Sequence, residues 1–176
     1  MKKILLVAGA ALALAGCGEK GDFEKAINAK IGQNRYCFSL DNNNTSFPIR
    51  LAKPRLDSTG TGTNSVILDG FIEQGLMVFE QGYDSNVLGI TEEGKKAKVW
   101  STADGACVGR RAVDEIKEWT EPGNGGQKVV RVSYTWKLND VPSWIDKKAF
   151  ANVKGMNEPA DGAINLVKTS NGWKAN

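Results

Sequence analysis

The chain has 176 residues, 23 Lys plus Arg against 20 Asp plus Glu, and no histidine. The length allows one domain or two small ones, and the near-balance of charge argues against a global nucleic-acid or acidic-polymer binder. The missing histidine removes Ser-His-Asp and Cys-His nucleophilic machinery and His-ligated zinc.

Taken in chain order, Met1-Lys2-Lys3 is a positive start, Ile4 to Leu14 is an apolar run, and Leu14-Ala15-Gly16-Cys17 closes on small residues and a cysteine. These are the parts of a secretory signal. Eleven apolar residues are too few for a bilayer-crossing helix, which needs about 20. Leu-Ala-Gly-Cys resembles the lipobox of bacterial lipoproteins. The resemblance implies a diacylglycerol on the Cys17 thiol, cleavage before Cys17, and acylation (palmitate) of the new amino group. Residues 1–16 are then the signal peptide and 17–21 a short lipidated tether. Gly18, where Asp would favour the inner membrane, implies the outer membrane, with the body facing the periplasm. Loss of Lys2 and Lys3 leaves the mature chain close to neutral.

With Cys17 carrying lipid, Cys37 and Cys107 remain in an oxidising compartment, where a disulfide is the expected state. Two separate buried thiols are the alternative.

Asp22 can cap a helix whose apolar positions Phe23, Ala26, Ile27 and Ile31 recur at helical spacing, with Gly32 as its stop. Arg35 to Leu40 carries Tyr36, Cys37 and Phe38. Asp41 to Ser46 is a polar loop without the Gly and terminal Glu of a calcium loop, so no metal or other cofactor is expected. Phe47 to Leu51 reads as a short strand. The stretch Asp57 to Asn64 has Gly60 and Gly62 but no phosphate-cradle pattern, and reads as a connection. Asn64 or Ser65 caps a second helix with stripe Ile67, Leu68, Phe71 and Ile72, ended by Gly75. Leu76 to Phe79 and Val87 to Ile90 read as strands around a turn. Thr91 caps a short helix over Glu92 to Ala97.

Leu68-Asp69-x-Phe71-Ile72-x-x-Gly75-Leu76, a hairpin, and Ile90-Thr91-Glu92-Glu93-Gly94-Lys95 resemble the second half of a winged-helix domain, covering residues 65–97. In that family a basic recognition helix enters DNA. Here Ser65 to Gln74 has no Lys or Arg and carries Asp69 and Glu73. Phosphate neutralisation supplies much of DNA affinity, so no nucleic-acid partner is expected, and the segment is read as a fold reused for packing or protein contact.

Val99 to Ser101 is a candidate strand. Over Cys107 to Thr120, Val113, Ile116 and Trp119 stand three apart, as in a helix. The turn residues from Glu121 to Gly126 and the need for a partner strand favour a long bulged strand instead. Val130, Val132, Tyr134, Trp136 and Leu138 alternate with polar residues, as in a half-buried antiparallel strand. Pro142 suits the first turn of a helix carrying Trp144, Ile145 and Phe150. Ile164 to Thr169, Asn171-Gly172 and Trp173-Lys174 form a final hairpin. The expected fold is therefore α+β, with a helical, winged-helix-like subdomain over 22–98 and an antiparallel β-rich subdomain with a packed helix over 99–176. The disulfide would join the two.

The mature chain also resembles a group of bacterial envelope lipoproteins that share the lipobox, Phe47-Pro48, the Gly-Leu and Thr-x-x-Gly segment, Cys107-Val108-Gly109, and Tyr134-x-Trp136-x-Leu138-x-Asp140-Val141-Pro142-x-Trp144. That resemblance implies location and fold, and no activity.

Candidate contact residues are Trp119 and Trp173, near loop and hairpin ends, and Arg110 and Arg111, which with Lys95, Lys96 and Lys98 could make a basic patch toward anionic lipid or envelope polymer. Core packing of the tryptophans and an ordinary solvated surface are the competing readings. The carboxylates Asp114–Glu115 and Glu92–Glu93 are sequence neighbours, which point apart on a strand, whereas a glycosidase sets two carboxylates about 5–10 Å apart across a cleft. The expected function is a non-enzymatic binding or assembly factor for an envelope protein or polymer. The alternatives are a carboxylate-dependent hydrolase of envelope glycan, or an inhibitor of a foreign enzyme or toxin.

Overall fold

A computed structural model describes residues 13–52, 63–121 and 128–176. The Gly60–Gly62 connection and most of the Glu121–Gly126 turn lie outside them. In chain order the elements are α1 (Ala13–Ile31), β1 (Arg35–Phe38), β2 (Ile49–Ala52), α2 (Thr63–Glu73), β3 (Met77–Gln81), β4 (Ser85–Ile90), α3 (Glu92–Ala97), β5 (Ala106–Trp119), β6 (Val129–Asn139), β7 (Ala160–Thr169) and β8 (Gly172–Ala175). The strands form a five-stranded sheet, β1-β5-β6-β7-β8, and a three-stranded sheet, β2-β4-β3. All pairings are antiparallel. The class is mixed α+β, dominated by sheet.

The long strand β5 settles the three-residue spacing. Its register against β6 shifts between Val113 and Glu115 and again between Ile116 and Glu118. Each bulge adds one residue to β5. Val113, Ile116 and Trp119 therefore lie opposite Trp136, Tyr134 and Val132, all on one face. A strand period of two has become three, which is why the sequence looked helical. The neighbouring β6 keeps its apolar residues at every second position, with Val130, Val132, Tyr134, Trp136 and Leu138 buried, and Thr135 buried on the other face.

Helix α1 packs on this face, against β5, β7 and β8. Its four expected apolar positions, Phe23, Ala26, Ile27 and Ile31, are all buried. Asn28 Oδ1 accepts from the Val113 N–H at 2.8 Å. That N–H lies on β5 beyond the last residue paired with β1, Arg110, so the helix satisfies a strand donor that β1 leaves open.

Both α1 and β1 belong to the packing of the large sheet, and a single buried cluster runs from Phe23 to Leu166. The winged-helix-like subdomain is not supported. Among the described residues, α2 packs on β3 and also on β1 of the other sheet, while α1 lies elsewhere. The motif behind the resemblance has a local explanation. Thr91 caps α3 by accepting from the Gly94 N–H at 3.1 Å, and its hydroxyl donates to the Gly75 carbonyl at 2.7 Å. A Cβ on Gly94 would stand 2.0 Å from the Leu76 carbonyl oxygen. The pattern Gly-Leu…Thr-x-x-Gly is thus a clip joining the ends of the hairpin.

Three further expectations change. The tether at 17–21 is helical backbone, because α1 begins before Cys17 rather than at Asp22. Val99 to Ser101 is not a strand; only Ser101 bridges, to Gly105. The segment after Pro142 is a run of turns rather than a helix, closed by bonds such as Ile145 N–H to Pro142 O and Val153 N–H to Phe150 O. Tertiary contacts shape that run. Phe150 packs where Gly70 of α2 has no side chain, Gly155 lies against the Trp136 ring, and its carbonyl accepts from Leu138 N–H. Gln74 fastens it further, donating to Trp144 O and accepting from Asp146 N–H.

Candidate functional site

At the C-terminal end of α1 the chain turns through Gly32, Gln33 and Asn34 into β1. A cleft of about 330 Å³ opens there, lined by Gln33, Asn34, Arg35, Cys37, Ser39, Asn43, Ala103, Asp104 and Arg110. Its walls are polar, and its framework is held by side chains with internal partners. Arg110 donates to the Gly32 and Gln33 carbonyls at 3.1 and 3.2 Å. This places a cation just past the C-terminal end of α1, where the helix dipole favours it. Arg35 stands 3.7 Å from Asp104. Asn43 accepts from Leu40 N–H at 2.8 Å and donates to Ala103 O at 3.4 Å. Gln33 and Asn34 are exposed. They present amide donors and acceptors at the cleft mouth.

Cys37, bonded to Cys107, lines one wall. The disulfide links directly opposed residues of β1 and β5, so it staples neighbouring strands of one sheet rather than two subdomains. Of the expected contact and staple residues, Cys37 and Arg110 line this cleft.

The remaining expected contact residues lie elsewhere. Trp119 and Trp173 flank Phe23 of α1 edge-on, at centroid distances of 5.4 and 5.1 Å. They clasp the helix and are half-buried. Arg111 lies over the rings of Tyr36 and Trp136, at 5.7 and 5.8 Å, with its Nε buried and without a hydrogen-bond partner. Burial pushes the nearby Tyr134 phenol above its ordinary range, and the Arg111 charge opposes that shift. Lys95 and Lys96 pair with Glu92 and Glu93 on α3, each at 2.7 Å. Lys95, Lys96, Arg110 and Arg111 of the expected patch are therefore engaged one by one. The candidate acids are engaged too, Asp114 with Lys137 at 2.9 Å and Glu115 with Lys117.

Sequence reasoning missed two features. Gln33 and Asn34 carry no pattern of their own; only the Gly32 helix stop before them marks the place. Tyr83, at the β3–β4 turn, is 94% exposed. It was legible only as part of a turn.

Among the described residues no group of three Cys, Asp or Glu is placed to hold a metal ion, and no helix is long and apolar enough to cross a membrane. Residues 1–17 match the family described as the prokaryotic membrane lipoprotein lipid attachment site. The match supports a bacterial lipoprotein anchored to a membrane through lipid, with Cys17 at its end. No curated protein and no solved structure matches the chain.

Proposed function

We propose that this protein is a non-enzymatic envelope lipoprotein, held at the periplasmic face of the outer membrane, whose polar cleft binds an envelope protein or polymer. The observation that carries the reading is the layout of α1. Cys17 lies near the N-terminal end of one helix, and the cleft residues Gln33 and Asn34 follow its C-terminal end at Ile31. From Cys17 to Ile31 that helix spans about 21 Å, so the cleft is presented away from the anchoring surface. Exposed amide side chains suit hydrogen bonding to peptide backbone or sugar hydroxyls. The lining has one carboxylate, Asp104, already beside Arg35. Glycoside hydrolysis uses two, so this cleft favours binding over cleavage.

The test is crosslinked capture by the lipidated protein from its own envelope, with Cys17→Ser and the double variant Gln33→Ala, Asn34→Ala as controls. One dominant partner that both controls lose is the expected result. A partner retained by the double variant places binding elsewhere, and glycan fragments shortened by the protein would replace this reading with the hydrolase.

A further inference from the structure

We propose that the end of the large sheet bearing the β7–β8 turn seats directly on the lipid headgroups of the leaflet that holds the anchor. This inference rests on the lipoprotein reading and adds the orientation of the body.

The direction of α1 follows from two contacts. Asn28 reaches Val113 in the middle of β5, and Phe23 reaches Trp119 at its C-terminal end. The helix therefore runs antiparallel to β5, and its N-terminus projects past Trp119. The strand registers place two more features at that end. Thr120 N–H bonds to the Arg131 carbonyl, and Lys168 N–H to the Lys128 carbonyl. Ser170 and Asn171, the β7–β8 turn, follow Thr169, the last residue of β7.

The reach is short. Gly18, Lys20, Gly21 and Asp22 are exposed, and Phe23 is the first buried residue of the helix beyond them. Phe23 stands six positions after Cys17. As helix they span about 9 Å, and fully extended they span at most about 20 Å. The headgroup region is roughly 5–8 Å thick on each side of the hydrocarbon core. Acyl chains in the core therefore put Phe23, and the strand ends beside it, at the outer edge of the headgroups. Lipoproteins on long flexible tethers have no such constraint; here helical backbone replaces the tether.

The side chains at this end suit a wet, mixed interface. Val129 is 40% exposed, Trp119 and Trp173 show part of their rings, and Lys168 Nζ lies 5.0 Å from the Trp173 ring centre. Trp and Lys are the side chains that settle at headgroup level. Glu118 and Glu121 share this end with Lys128 and Arg131, so attachment comes from the short reach and not from net charge. Ala103 and Asp104 precede β5. They stand at the opposite end of a strand of 14 residues, about 40 Å away.

The experiment uses the full lipidated chain in vesicles of phosphatidylcholine and phosphatidylglycerol carrying a headgroup nitroxide. A fluorophore is placed on Ser170→Cys or, separately, on Ala103→Cys, both exposed positions. Quenching several-fold stronger at 170 than at 103 is expected, and a long Gly-Ser insert after Cys17 should abolish the difference while flotation with vesicles persists. A chain that floats but quenches equally at both positions overturns the seating. A difference that survives the insert overturns the short reach as its cause. A chain that does not float overturns the lipoprotein reading, and the seating with it.

Discussion

The two sheets of this protein are held by different kinds of contact. The large sheet is closed by residues far apart in the chain: Phe23 against Trp119 and Trp173, Asn28 against Val113, and Cys37 bonded to Cys107. In the small sheet the β3–β4 hairpin is closed locally. Thr91, Gly94 and the Gly75–Leu76 carbonyls form a clip within about 20 residues of chain. Long-range closure builds the large core and fixes where the helix ends point. The local clip builds a compact hairpin but leaves its orientation to α2, which packs on both sheets.

Mutations can break each side of this contrast. The largest loss is expected from Phe23→Ala, because the side chain is fully buried between two indoles; core Phe→Ala changes cost about 3–5 kcal/mol. Denaturant unfolding should show it, with a red shift of tryptophan emission as water reaches the clasp. Replacing both Cys37 and Cys107 by Ser frees a 70-residue separation, worth about 4 kcal/mol in the chain-entropy model. Oxidised and reduced wild type should differ by the same amount, and equal unfolding midpoints would remove the staple from the account.

On the local side, Gly94→Ala reverses the usual helix preference. Ala normally stabilises a helix by about 1 kcal/mol over Gly. Here the added Cβ meets the Leu76 carbonyl, and forced overpacking should cost about 3 kcal/mol. A stabilised Gly94→Ala variant would show that α3 does not rest on Leu76. Thr91→Val removes both bonds of the cap hydroxyl at nearly constant volume. A loss of about 1–2 kcal/mol is expected from the cap, with amide exchange rising at Gly94 and leaving the α1 amides unchanged. If α1 exchange rises equally, the two sheets unfold as one unit and the contrast lies in structure alone.

What was legible in the residues follows the same divide. The helix stripe of α1, the Thr91 cap and the apolar alternation of β6 are near-neighbour patterns, and each forms where expected; the final turn forms one residue earlier than expected, at Ser170–Asn171 between the paired Thr169 and Gly172. The Thr-x-x-Gly pattern was also legible, but its meaning was not. It marks a close approach of backbone to backbone, and the same chemistry serves in unrelated surroundings. The site was barely legible. Arg110 was singled out for its charge, yet its partners are the Gly32 and Gln33 carbonyls just past α1, and the exposed Gln33 and Asn34 bear no signature. Trp119 and Trp173 looked like surface aromatics because they sit near chain turns; a helix from the other end of the sequence covers them.

The sequence by itself determined the anchor signal at residues 1–17, the cysteine pair available for a disulfide, the absence of histidine chemistry, and most individual elements. These depend on composition and on spacings of a few residues. Only the tertiary structure decided that β1 joins the large sheet, that two bulges turn β5 to a three-residue period, that the run after Pro142 is not helical, and that α1 sets the cleft opposite the anchor. Each of those depends on which surface a segment buries. That is set by partners tens of residues away, through apolar burial and the satisfaction of backbone donors, and no local pattern encodes it.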